Sequence, residues 1–187
     1  DQAISDYDKA IKIKPDYFKA YLNRGVVYVA KGQYDQAIYD YNEAIKNNPG
    51  YSEAYNNRGN VYQKKGQYDQ AISDYDKAIK IKPDYFIAYL NRGKVYDSKG
   101  QYDRAIYDYN KAVELTPNNI ETYSNRGVSY AKKGDYDKAI SDLNQAIKMD
   151  PNFYEAYNNR GNVYQKNGQY DQAIYDFNQA IKINPDY

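Results

Sequence analysis

The chain has 187 residues, with 26 basic and 25 acidic side chains, and it has no cysteine, histidine or tryptophan. The near-neutral balance argues against a strong electrostatic footprint for nucleic acid or an anionic membrane. The missing residue types exclude disulfides, thiolate nucleophiles, zinc–sulfur sites and imidazole bases or ligands, and no apolar run approaches the length of a membrane span.

In chain order, "DQAISDYDKAIKIKPDY" at 1–17 reads as one amphipathic helix ended by Pro15. The stretch 18–51 then supplies two helices. Tyr21, Gly25 and Tyr28 fall at helical spacing, and the run ends at "KGQY", where Gly32 can take the left-handed conformation that closes a helix. Asp35 opens the next helix, favourably placed at an N-terminus. Ala37, Ile38, Tyr41, Ala44 and Ile45 form its apolar stripe, and Pro49 ends it. The same plan returns at 52–85, 86–119, 120–153 and 154–187, with 1–17 as a preceding half unit.

The register is strict. Pro15, Pro49, Pro83, Pro117, Pro151 and Pro185 are each 34 residues apart. "YNNRGNVYQK" at 55–64 recurs unchanged at 157–166, and "DQAISDYDKAIKIKPDYF" at 1–18 recurs at 69–86. A fixed period of this length means stacked units, because one hairpin cannot bury its own apolar stripe. The expected fold is all-α, a single array of antiparallel helix pairs over 1–187.

The run Tyr21, Arg24, Gly25, Tyr28, Ala37, Tyr41, Ala44, Pro49 resembles the 34-residue signature of the tetratricopeptide repeat family. The resemblance covers the whole chain. It implies a right-handed superhelical solenoid with the first helix of each pair lining a concave groove. It also implies a noncatalytic protein–protein interaction scaffold that binds extended peptide. Two departures stand out. The leading aromatic is always tyrosine, and the family's leucine is Arg24, Arg58, Arg92, Arg126 and Arg160. A desolvated cation needs a partner, and Asp40 and its 34-residue equivalents Asp74, Asp108, Asp142 and Asp176 lie level with the arginines across each hairpin. Asp6 is expected to pair with Arg24 from the preceding helix.

Opposite the packing stripe, each first helix presents an asparagine: Asn23, Asn57, Asn91, Asn125 and Asn159. A side-chain amide both donates and accepts, so it can bond an extended backbone whatever its sequence. The ladder resembles that of the repeat region of O-linked N-acetylglucosamine transferases, where groove asparagines hold substrate polypeptide. Asn60, Asn162 and Lys94 extend the candidate surface. "YSNRGVSYAKKGDYDKAI" at 123–140 is similar to the middle repeat of co-chaperone domains that clamp a C-terminal carboxylate. The first-lysine positions hold leucine, serine or asparagine, the arginine position is always asparagine, and Lys19 is the only basic residue at the remaining lysine site, so a complete clamp is not expected.

Other readings remain open. A second reading makes the chain the substrate-recruiting arm of a larger enzyme such as a glycosyltransferase. A helical-repeat RNA reader is disfavoured by the neutral charge. No convergent carboxylate pair suggests catalysis by the chain itself, and no cofactor is expected. A cytoplasmic location is favoured over others. The first and last helices are expected to leave Tyr7, Ile11, Phe177 and Ile181 uncovered, either because the chain is a piece of a longer array or because copies stack head to tail. Tyr39, Tyr107 and Tyr175, alternating with Ser5, Ser73 and Ser141, should face outward.

Overall fold

The computed structural model describes residues 2–185; the outermost ends of the half unit and of the fifth unit, at 1 and 186–187, lie outside the described residues. Among the described residues there are eleven α-helices and no strand. They are α1 (Gln2–Ile13), α2 (Phe18–Ala30), α3 (Tyr34–Asn47), α4 (Ser52–Lys64), α5 (Tyr68–Ile81), α6 (Phe86–Ser98), α7 (Tyr102–Leu115), α8 (Ile120–Lys133), α9 (Tyr136–Met149), α10 (Tyr154–Lys166) and α11 (Tyr170–Ile183). The chain forms two compact units, one ending at Val95 and the other beginning at Tyr96.

The two turn types follow from the two punctuating residues. Inside a hairpin, Gly32 sits at φ 71°, where a side chain would be strained. This lets the Gly32 and Gln33 N–H groups donate to the Val29 and Tyr28 carbonyls at 3.0 and 2.9 Å, closing α2. Between hairpins, Pro49 forces Asn48 out of the helical region, to φ −144° and ψ 86°. The chain re-enters a helix at Ser52.

In the first unit, α2 packs on α3 and α4 on α5. Small residues set the spacing. Ala37, Ala44 and Ala54 are fully buried around Tyr41, with Tyr21, Leu22 and Val61 completing that core. Gly25 lies against the Tyr41 ring so closely that a β-carbon there would stand 2.6 Å from it. In the second unit, α8 packs on α9 and α10 on α11, with Ala139, Leu143, Ala146, Ala156 and Val163 at the centre.

The arginines that replace the family leucine are paired as the period demands. Arg24 grips Asp40 through Nε and Nη2 at 2.8 and 2.6 Å. Arg58 holds Asp74 at 2.7 and 2.6 Å, Arg126 holds Asp142 at 2.7 Å through both nitrogens, and Arg160 does the same with Asp176. The third nitrogen reaches back to the preceding helix, and here the structure corrects the expectation. Arg24 meets Asp8, not Asp6; Asp6 is exposed and taken by Gln2 and Lys9 on its own helix. The corresponding partners are Asn42 for Arg58, Asp76 for Arg92, Asn110 for Arg126 and Asn144 for Arg160. Asp8 is two residues beyond Asp6, and on a helix that step turns the side chain by more than half a turn, from the free face to the face that meets α2.

Aromatic faces complete the cage. The guanidinium of Arg24 lies 5.6 and 5.9 Å from the rings of Tyr21 and Tyr28, and Arg58 and Arg160 are flanked in the same way. Burial pushes the Asp40 carboxyl above its ordinary value, against the pull of its Arg24 bonds. Part of the attraction between the two charges thus offsets the cost of taking the carboxylate out of water.

Of the four residues expected to be uncovered, only Ile181 is exposed. Tyr7, Ile11 and Phe177 are half-buried. Ile11 packs on the core below α2, and the Phe177 ring lies over Gly161 of its own hairpin. Tyr39, Tyr107 and Tyr175 face outward as expected, each about three-fifths exposed.

Clefts between first helices as the candidate functional site

The hairpin plan leaves the first helices side by side, α2 beside α4 in the first unit and α8 beside α10 in the second. Each pair encloses clefts lined by the face opposite the packing stripe.

In the first unit a cleft of about 170 Å³ has walls of Val26, Val29, Val61, Asn57, Asn60 and Lys64. Its floor is Tyr41, contributed by the second helix of the hairpin. Beside it runs an amide network. Asn91 Nδ2 donates to Asn56 Oδ1 and Asn60 Oδ1 at 3.1 and 3.0 Å, and the Tyr75 hydroxyl donates to Asn60 Oδ1 at 2.8 Å, with Gln63 Oε1 at 3.1 Å. Asn56 Nδ2 approaches Asn57 Oδ1 at 3.4 Å.

In the second unit the larger cleft, about 540 Å³, lies toward the start of α8 and α10. Ile120 and Phe153 give it apolar surface, Glu121 and Glu155 give it negative charge, and Asn125 and Asn159 supply amides. A neighbouring cleft of about 320 Å³ holds Val128, Val163, Asn162, Lys132 and Lys166, and Asn159 lines both. Asn159 Nδ2 donates to Ser124 Oγ at 3.3 Å. Asn125 Nδ2 is buried with no hydrogen-bond partner, which is costly for an amide. Lys132 is drawn to Asp97 at 2.6 Å.

Of the candidate residues read from the sequence, Asn57 and Asn60 meet in one cleft, and Asn125, Asn159 and Asn162 in the other two. Asn91 is instead held by its neighbours on α4. Asn23 is exposed on α2, and Lys94 is half-buried on α6. Sequence reasoning missed the glutamates at the mouth of the large cleft. It also missed the hydroxyls of Tyr41 and Tyr75, read there only as members of an apolar stripe. Their signal was the pairing of Tyr75 with Asn60 and Gln63 but of Tyr41 with Val26 and Val29 at the same repeat positions.

Among the described residues, no group of three or more acidic side chains converges as a metal site, and no helix is long and apolar enough to cross a membrane.

Models of the tetratricopeptide repeat match residues 52–85 and 154–187, and a second one 74–107; a TPR repeat model matches 1–32, 27–66, 98–134 and 129–168. No protein of curated function matches the sequence. Among solved structures, the chain is similar to YrrB, described as a TPR protein with an unusual peptide-binding site. Identity is 26%, coverage is 97% of this chain and 93% of that one, and the TM-score is 0.78. It is similar to the MamA protein at 26% identity, with 90% and 92% of the two chains covered and a TM-score of 0.79. MamA from Desulfovibrio magneticus RS-1, at 21% identity with 90% and 95% covered and a TM-score of 0.83, shares the fold. The repeat matches cover well over half the sequence, so the chain belongs to the tetratricopeptide repeat family, a family of helix-pair arrays that typically serve as protein-interaction scaffolds.

Proposed function

We propose that the chain is a noncatalytic scaffold that binds extended peptide segments along the first-helix face, with the asparagine ladder holding the peptide backbone. The observation that carries this reading is that Asn57, Asn60, Asn125, Asn159 and Asn162 all border clefts between neighbouring first helices. Each amide bond to a peptide contributes roughly 0.5–1.5 kcal/mol net, so several acting together are needed. The unbroken 34-residue register supports reading the whole chain as one array. A peptide-binding site described for YrrB is compatible with the same use here.

The test separates binding from folding. Asn125 Nδ2 has no hydrogen-bond partner among the described residues, and Asn57 has only a long bond. The double variant Asn57→Ala, Asn125→Ala should therefore melt like the parent while losing roughly tenfold in affinity for peptides selected on the parent chain. Equal affinity for parent and variant would remove the asparagine ladder from the account.

A further inference from the structure

The cleft between α2 and α4 is lined by several side chains that can donate a hydrogen bond. Its floor residue, Tyr41, is 1% exposed, yet its hydroxyl makes no hydrogen bond among the described residues. The equivalent residue one repeat later, Tyr75, satisfies its hydroxyl on Asn60 and Gln63. At the matching positions around Tyr41 stand Val26 and Val29, which accept nothing. The hydroxyl therefore points at the cleft as an unspent donor. Burial, with the Asp40 charge adding to it, keeps that phenol protonated far above neutral pH.

The other polar groups around the cleft are also donors. Asn60 Oδ1 is already used twice, by Tyr75 and Asn91, which leaves its amide nitrogen for a ligand. Asn57 Oδ1 faces Asn56, which leaves its nitrogen as well. Lys64 places a cation at the rim, 6.0 Å from the Tyr34 ring, with no carboxylate among the described residues paired to it. Val26, Val29 and Val61 give the space apolar walls, and about 170 Å³ equals the bulk volume of about five or six waters. Three neutral donors and one cation match one small anionic group.

We infer that this cleft is a subsite for the side-chain carboxylate of an aspartate or glutamate in the bound peptide, received by Tyr41, Asn57, Asn60 and Lys64. The inference rests on the peptide-binding reading above and names one feature of the ligand.

The experiment is an affinity selection on the full chain from a random nonapeptide library, acetylated and amidated so that no terminal charge remains. A parallel library has a free C-terminus. The same selections are run on Tyr41→Phe and Lys64→Gln. Tyr41→Phe deletes only an unbonded hydroxyl, so its melting temperature should match the parent's and report an intact fold. The expected result is enrichment of Asp or Glu at one position in the blocked library, with a loss of roughly tenfold or more in affinity for those peptides in each variant. Enrichment without an acidic preference, or an acidic preference retained by both variants, overturns this subsite while leaving the peptide-binding reading in place. A preference confined to the free C-terminus overturns the side-chain assignment. Recovery of no peptide from either library overturns the peptide-binding reading and this subsite with it.

Discussion

At the scale of single residues, the arginine that stands where the family carries leucine is the most consequential departure. A buried pair is expensive to break and cheap to replace as a whole. Arg58→Ala strands Asp74 and should cost about 3–5 kcal/mol in urea denaturation. Arg58→Leu combined with Asp74→Leu should recover most of that loss, because both charges leave together. Tyrosine hydroxyls make a second contrast. Tyr75→Phe removes a bonded hydroxyl and should cost about 1 kcal/mol, whereas Tyr41→Phe should be neutral or slightly stabilising, as no bond is lost. Equal effects at the two sites would contradict the assignment of their partners. The Arg–Asp bond within a hairpin was legible from the sequence because the turn at Gly32 fixes the height of facing residues. The choice between Asp6 and Asp8 was not, because it depends on which way the preceding helix is rotated, and a 34-residue period contains no information about rotation.

At the scale of the helix pair, glycine and alanine set how closely the helices approach. Gly25 and Gly59 admit the rings of Tyr41 and Tyr75, and an added β-carbon would stand 2.6 and 2.8 Å away. Gly25→Ala or Gly59→Ala should each destabilise by about 1–3 kcal/mol, measured by thermal or chemical unfolding. A neutral outcome would mean that the rings can shift. These elements were readable in advance. Proline, glycine and the apolar stripe are local signals, and they placed each helix and each turn. The side-chain network of the clefts was less readable. Asn91 shares its repeat position with Asn57 and Asn125, yet it bonds to Asn56 and Asn60 while Asn125 Nδ2 has no partner. Asn91 finds its partners because asparagines occupy both 56 and 60 on α4, a coincidence of neighbours that the repeat position alone does not encode.

At the scale of the whole molecule, repetition multiplies small effects. Burial pushes the phenols of Tyr41, Tyr75 and Tyr109 above their ordinary value of 10.0, and Tyr51 up to about 12. The folded state favours the neutral phenol, while the unfolded chain ionises near pH 10 and so releases protons first. The stability these groups contribute is thus intact below about pH 10 and falls as pH climbs toward the raised folded values, by up to about 1.4 kcal/mol per pH unit for each tyrosine. Denaturation midpoints measured from pH 9 to pH 11.5 should show this decline, and Tyr109→Phe should make it shallower; a pH-independent midpoint would contradict the burial of these groups.

The central claim is that the amides of the first helices hold a peptide backbone. Side-chain amide resonances report it most directly, recorded as a selected peptide is titrated into the isotopically labelled full chain. The signals of Asn57, Asn60, Asn125 and Asn159 should move and saturate, while that of the outward Asn178 on α11 stays fixed. Saturable binding that leaves all four cleft asparagines unmoved would contradict it.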